Sequence, residues 1–344
     1  MYPRLSDLLT DAFGISFPLP IYSFGAMVAT AILLAGWLLA RELDRMHGAG
    51  QMPALRVKAP AAPARPAAGS RAGGAKSPRA ERPSAERPRT GSDGTVAAMP
   101  SAIGNRLVLL AALTGVAGSK LFHILENLGD FAADPAGMIF SSGGLTFYGG
   151  LITAALAIAW TVRRAGLPVA RVADAVAPGL ILGYGIGRIG CYLAGDGDWG
   201  VCSRLADKPA GLPSWLWSET FPRNILGLDI PGGICPPGFD GVYPTMLYEF
   251  ALCLAAFGLL WALRRHPWRA GWLFGLYLVM TGAERFAIEL IRVNNVGTYL
   301  GIPATQAQVI SVVLAVAGVA IMVRTMLTRG AAPTVEDGVP VVAG

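Results

Sequence analysis

Apolar positions along this chain come in long runs rather than in alternation. Seven stretches, 21–40, 107–128, 142–162, 172–195, 243–263, 270–291 and 305–327, are dominated by Leu, Ile, Val, Ala, Phe and Gly. Each is close to the roughly 20 residues that a helix needs to cross the hydrocarbon of a bilayer. The pattern predicts an all-α, polytopic membrane protein with seven transmembrane helices. The first 20 residues carry Arg4, Asp7 and Asp11 among scattered Leu and Phe. They lack the basic start and apolar core of a cleavable signal, and an amphipathic arm lying in the interface is expected. Residues 1–40 therefore comprise arm and first helix, and 104–327 the other six helices.

The segment between the first and second runs breaks the pattern. Residues 41–103 are rich in Ala, Pro, Arg and Gly, as in AAPARPAAGSRAGGAKSPRAERPSAERPR, and predict a disordered insert, because too little apolar surface is available to offset the entropy of ordering. Residues 41–100 hold 11 Lys+Arg against 5 Asp+Glu, a surplus equal to the chain's net charge of +6. The sequence pI of 9.3 is thus a property of the insert and no argument for nucleic acid. A basic tether near anionic lipid accounts for it. The tail 328–344 is likewise expected to be disordered. Charged residues make up only 15% of the chain, against roughly a quarter in soluble domains, and mean hydropathy is +0.50. His47, His123 and His266 are far apart and no CxxC pair is present, which excludes a zinc module and a disulfide scaffold.

The positive-inside rule sets the orientation. With residue 1 outside, segments 41–106, 163–171, 264–269 and the tail after 323 are cytoplasmic and hold 20 of the 28 Lys+Arg. The N-terminus is therefore expected outside and the C-terminus in the cytoplasm. Lys120, Arg188 and Arg285 fall within spans, where an ionisable group needs a reason. At 1.5 Å per residue they lie about 20, 24 and 22 Å above the cytoplasmic side, while Tyr148 and Glu249 lie about 9 Å below the outer one. Tyr22 opens the first span at that surface. Arg285, Glu289 and Arg292 are spaced i, i+4 and i+7, on one helix face. Such a stripe is compatible with an internal salt-bridge ladder, but three cations at one depth point to an anion, and guanidinium forks suit phosphate. Lys120, with His123 one turn later, is also compatible with snorkelling or with pairing to Glu126.

Glycines mark the same level. GGLTFYGG (143–150) opens the third span and GYGIGRIGCYLAGDGDWG (183–200) closes the fourth. Close helix packing accounts for Gly183, Gly185 and Gly187. Gly195-Asp196-Gly197-Asp198-Trp199-Gly200 is too glycine-dense for regular helix and predicts a turn whose amides could hold an anion. DGDWG lacks calcium-loop ligand spacing, and no metal is expected. The outer region 196–242 is polar, rich in Pro and Gly, and carries Cys202 and Cys235 on the oxidising side. A disulfide and two free thiols are both compatible with that placement. Packing accounts for Cys253 and Cys191.

At these residues the chain resembles the prolipoprotein diacylglyceryl transferases. The resemblance runs through Tyr22, GxxGSK (115–120), GGLTFYGG, GRIGCYLAGDGDWG, YPTMLYE (243–249), the Arg285/Glu289/Arg292 helix and AQVIS (307–311), in the family's order. It implies a seven-helix enzyme of the bacterial inner membrane, its active site toward the periplasm. Such an enzyme moves the diacylglyceryl group of phosphatidylglycerol to the lipobox cysteine of an exported prolipoprotein, releasing glycerol phosphate. The family's signature arginine falls on Arg188, its second functional arginine and nearby glutamate on Arg285 and Glu289, its closing glycine on Gly200 and its first-helix tyrosine on Tyr22. The chain departs where the family has a catalytic histidine, here Tyr148, and where it has two asparagines, here Cys191 and Ala194. The Gly-rich turn is one residue longer, and Thr281 replaces a tyrosine.

The expected catalytic set is Arg188, Arg285, Glu289 and Tyr148. The expected phosphatidylglycerol contacts are Arg188, Tyr22, Gly149, Gly150, Gly195, Gly200, Lys120, Glu249 and Arg292. The phosphodiester itself supplies the driving force, so no cofactor is expected. The departures leave a second reading open, a paralogue that binds phospholipid without this chemistry or acts on another acceptor. No repeat between the halves suggests a transporter.

Overall fold

The computed structural model describes residues 2–14, 20–58, 95–141, 146–294, 296–299 and 301–328. The protein is mostly helical. A short α1 (Leu5–Phe13) precedes α2 (Ser23–Gly48). After the insert come α3 (Gly104–Glu126), the short α4 (Leu128–Ala133) and α5 (Pro135–Phe140), then α6 (Phe147–Arg164) and α7 (Val169–Ala194). The chain ends with α8 (Thr245–Leu263), α9 (Trp272–Glu289) and α10 (Gln306–Leu327). Each of the seven apolar runs holds one long helix. Five of them, α2, α3, α7, α8 and α10, are long and apolar enough to cross a membrane. The other two are 18-residue helices weighed down by polar groups: α6 ends on Arg163 and Arg164, and α9 carries Glu284, Arg285 and Glu289.

The insert boundaries at 41–103 need correction. The first helix runs on to Gly48. Beyond it β1 (Leu55–Lys58) pairs antiparallel with β2 (Thr95–Ala98), and a 3-10 turn spans Pro100–Ile103. The reason is apolar content at the insert's edges. Leu43, Met46, Met52, Leu55 and Ile103 are buried with Leu107 of α3, Val162 of α6 and Leu167 and Val172 at the start of α7. The Pro/Ala/Arg-rich centre, 59–94, and the tail 329–344 lie outside the described residues. Two more ribbons, Cys202–Ser203 with Gly241–Val242 and Val296–Tyr299 with Ile302–Thr305, qualify the all-helical expectation.

Small residues set the helix contacts. α3 packs on α6 where a Cβ at Gly150 would sit 2.7 Å from the Gly115 carbonyl oxygen, and one at Gly149 equally near that of Gly118. α9 and α10 touch backbone to backbone: a Cβ on Gly318 would lie 2.5 Å from the Gly275 carbonyl oxygen. α7 presents Gly185 to Cys253 of α8, and a Cβ on Gly183 would lie 3.8 Å from Ala31 of α2, whereas one on Gly187 would meet nothing within 4 Å, so packing does not explain it. Outward faces are apolar, with Leu33, Leu113, Val116, Leu156 and Val316 more than half exposed.

Both ends of the bundle carry buried acids. At the end where α7 begins, Asp174 is 3% exposed and accepts from the backbone N–H of Gly271 (2.6 Å) and Phe274 (2.8 Å), capping α9 from another helix. Glu42 on α2 is met by Arg45 (2.5 Å) and, at 3.9 Å, by Arg264 after α8. At the opposite end Cys202 and Cys235 form a disulfide with Cα atoms 5.7 Å apart. It closes the 196–242 region over a core of Trp199, Phe221, Ile230 and Met246.

Gly318→Leu inserts a side chain where none fits, and overpacking of this kind costs about 1–3 kcal/mol. The detergent-purified variant is expected to melt below the native protein, whereas Val319→Leu on the half-exposed face of α10 is expected to leave the transition in place.

Candidate functional site

The polar cluster is built where four segments end at the disulfide side of the bundle. α7 brings Arg188, two turns before its C-terminus. The helix stops at Gly195, which takes the left-handed conformation (φ 62°), and Gly197 (φ 97°) turns the chain again. Asp198 follows. α8 supplies Glu249 one turn after its start, and α9 supplies Arg285 and Glu289 in its last turns. Arg292 lies just beyond, held by a backbone bridge to Gly200. The Val201 N–H donates to the Ile291 carbonyl (2.9 Å) and the Gly200 N–H to that of Tyr243 (2.8 Å). A Cβ on Gly200 would lie 2.7 Å from the Ile291 oxygen, so glycine is needed there for close passage of two strands.

Glu249 has no exposure. The Arg188 Nε and the Tyr184 hydroxyl (2.9 Å) both donate to its Oε2. Its Oε1 faces Arg292 Nη1 at 3.5 Å and Arg285 Nη1 at 3.8 Å. Asp198 bridges two of the same cations, accepting from Arg188 Nη1 on one oxygen and from Arg292 Nη2 on the other (2.5 Å). Arg285 also pairs with Glu289 (3.2 Å), which Asn294 secures from its other oxygen (2.6 Å). Arg188 lies over the Tyr184 ring, 5.3 Å from its centroid. Three guanidiniums thus converge on one buried carboxylate. The shared depth read from the sequence covered Arg188 and Arg285, while Lys120, set at the same depth, donates to Ser141 instead.

The Asp198 carboxyl feels opposed influences. Burial pushes it up, but Arg188 and Arg292 outweigh burial and hold it below the usual carboxylate range. Asp196 goes the other way: burial, together with the charge of Asp198, raises it against the hydrogen bond it shares with Cys191. The Cys191 sulfur and one oxygen each of Asp196 and Asp198 lie within 4.8 Å of one another. Arg188 bonds Asp198 and reaches the Cys191 sulfur at 3.6 Å, so two of these three groups already face a cation.

The other candidates lie around this cluster. Tyr148, at the start of α6, has Arg285 and Glu289 as electrostatic neighbours. Gly149 and Gly150 beside it are used for packing on α3. Lys120 donates to the Ser141 carbonyl (3.0 Å) and hydroxyl (2.8 Å), tying α3 to the chain after α5. Tyr22 is half exposed at the mouth of α2, with Arg4 5.8 Å from its ring centroid. Residues 143–145 of the GGLTFYGG motif lie outside the described residues. Sequence reasoning passed over Tyr184, Asp198, Glu284 and Asn294. Tyr184 was accessible, since it precedes Arg188 by four residues on one helix face. Asp198 was visible only as a rejected calcium ligand, and Asn294 carries no helical spacing signal.

The sequence profile described as "Prolipoprotein diacylglyceryl transferase" matches residues 96–324. The curated relatives carry the name "Phosphatidylglycerol--prolipoprotein diacylglyceryl transferase". That of Pseudomonas aeruginosa is 33% identical over 225 residues, 63% of this chain and 74% of the relative. That of Chromohalobacter salexigens is 33% identical over 238 residues, 66% and 78% of the two chains. That of Stenotrophomonas maltophilia is 31% identical over 264 residues, 73% and 85% of the two.

The Asp198 clamp has a pH signature. A carboxyl held below its unfolded value of about 3.9 contributes stability that is complete above that value and lost as pH falls through the folded one. Asp198→Asn is expected to lower the melting temperature at neutral pH and to remove part of the acid loss. Melting curves from pH 7 down to the acid limit of the native protein measure both.

Proposed function

The chain belongs to the prolipoprotein diacylglyceryl transferase family, and we propose that it moves the diacylglyceryl group of phosphatidylglycerol to the lipobox cysteine thiol of exported prolipoproteins, releasing glycerol phosphate. The observation that carries this reading is the meeting of Arg188, Arg285 and Arg292 at Glu249. Displacement at a glycerol carbon needs a sulfur nucleophile, a leaving phosphate whose growing charge is held, and little water. Arg188 and Arg285 bind the phosphodiester and stabilise the departing phosphate. Glu289 orients Arg285. Tyr148 donates a hydrogen bond to the phosphate, and Arg292 and Glu249 hold the array in register. Arg285, whose side chain is 26% exposed against about a tenth for Arg188 and Arg292, is the cation nearest an entering headgroup.

Seven helices cross the bacterial inner membrane in this reading, with the N-terminus outside and the C-terminus in the cytoplasm. The 18-residue α6 and α9 are each about 27 Å long, close to the thickness of the hydrocarbon core. The Cys202–Cys235 disulfide lies on the cluster's side, which supports a periplasmic site. The arginine-bearing connections 163–171 and 264–269 lie at the other end, which supports the cytoplasm there.

One departure favours a second reading. Tyr148 stands where the family's histidine is expected, so a paralogue that holds phospholipid without transferring it, or serves another acceptor, fits that position. Expression in cells depleted of their own transferase separates the two. Restoration of the lipidated prolipoprotein is expected; failure despite membrane insertion favours the binding protein. Arg188→Ala is expected to lower transfer by about 10²-fold or more with the protein still inserted, and full activity removes Arg188 from the site. Tyr148→Phe is expected to slow turnover; undiminished turnover takes the hydroxyl out of the reaction.

A further inference from the structure

The cluster holds two acids beyond those its cations pair, Asp196 on the turn after α7 and Glu284 on α9. Asp198, Glu249 and Glu289 each pair with Arg188, Arg285 or Arg292, three carboxylates to three guanidiniums. Glu284 is a fourth acid, next to Arg285 on α9. It is only 8% exposed, its Oε1 has no hydrogen-bond partner, and among the described residues no ion pair includes it. Its electrostatic neighbours are Glu249, Arg188, Arg285 and Arg292, together with Tyr184 on α7 and Cys253 on α8. An acid oxygen without a partner is thus enclosed by three helices beside the phosphate-binding array.

A carboxylate clamped by guanidinium takes up a proton only by giving up its ion pair. A buried acid outside any pair changes its proton without breaking one. Of the two unpaired acids Glu284 is the buried one with an unpartnered oxygen, whereas Asp196 is part-exposed and shares a hydrogen bond with Cys191. Glu284 is therefore the member placed to exchange a proton inside the site. The reaction has a proton to move, because the acceptor sulfur loses one and the departing phosphate gains charge. Tyr148 is poorly suited to take it, since a neutral tyrosine hydroxyl is a weak base near neutral pH.

We propose that Glu284 is the proton carrier of this site, taking the proton of the acceptor thiol and delivering it to the departing phosphate. The proposal rests on the transferase reading above. The sulfur electron pair forms the S–C bond and the glycerol C–O bond breaks, its pair staying on the phosphate oxygen. The proton passes from sulfur to the Glu284 carboxylate and on to glycerol phosphate, which returns Glu284 to its starting state.

The test uses the purified full-length protein, phosphatidylglycerol in detergent micelles and a synthetic lipobox peptide, assayed across pH. Glu284→Gln is expected to lower kcat by about 10²-fold or more, to leave KM for phosphatidylglycerol unchanged and to flatten the pH profile. A peptide with selenocysteine at the acceptor position, its selenol already ionised at neutral pH, is expected to bring the variant toward the native rate. An equal loss with thiol and selenol peptides, or an unchanged kcat and pH profile, overturns the carrier role. Glu284→Asp keeps a carboxyl and provides the same comparison if Glu284→Gln does not accumulate: a displaced pH profile supports the proposal and an unmoved one overturns it. If the native protein is inactive with both peptides, the transferase reading falls and the carrier role with it; if the native protein is active and the variant unaffected, the carrier role alone is overturned.

Discussion

A carboxylate with no access to water has to be met by cations, and Glu249 is such a group. Removing one partner of a buried pair costs about 3–5 kcal/mol, because an uncompensated charge is left behind. That penalty fixes the outer end of this fold. Arg188 comes from the middle of the chain, Arg285 and Arg292 from a segment about a hundred residues later, and each is held where Glu249 requires it. The glycines that end α7 and the bridge between Gly200 and Arg292 serve the same requirement, since they let the turn after α7 pass beside the chain leaving α9. The site is thus a consequence of satisfying one buried acid.

The opposite end solves the same problem differently. Asp174 is buried on α7, and backbone N–H groups at the start of α9 satisfy it. Such groups bear the positive end of the helix dipole and have no partner within their own helix. α7 therefore grips α9 at both ends, through a cap at one and through Arg188, Glu249 and Arg285 at the other. Between them the helices approach on small residues, where no side chain has to be displaced. A rigid frame of this kind suits a site whose cations must stay in place when an anion arrives.

Much of this frame was legible in the sequence. Each of the seven apolar runs holds a helix, because a stretch of that length and polarity has no competing solution. Arg285, Glu289 and Arg292 were found by their spacing, a local signal, and Arg188 by the glycines that end its helix. What the sequence hid was pairing across segments. Nothing in the spacing of Asp198 announces that its two oxygens reach Arg188 and Arg292, which belong to different parts of the chain. Gly149 and Gly150 stood at the right depth for a lipid contact, yet depth does not reveal that α3 lies against them. The insert boundaries failed for a related reason: Met52 and Leu55 look isolated within a polar stretch, and their burial depends on Val162 and Leu167, far along the chain.

The pairing also constrains how an anion enters. With Arg188 and Arg292 both bonded to Asp198, a phosphodiester gains those N–H groups only by competing for them. Glu249 cannot yield, since without its cations it would be a bare charge in the interior. Asp198 can. Its side chain is 35% exposed, on a turn between two left-handed glycines and the close contact at Gly200, and water can solvate it if it swings away. An arriving phosphate would then take the position on Arg188 that Asp198 vacates, beside the more open Arg285, while Glu249 keeps both guanidiniums fixed from behind. A turn rich in glycine is suited to that exchange, because it moves a side chain without moving the helices that carry the arginines.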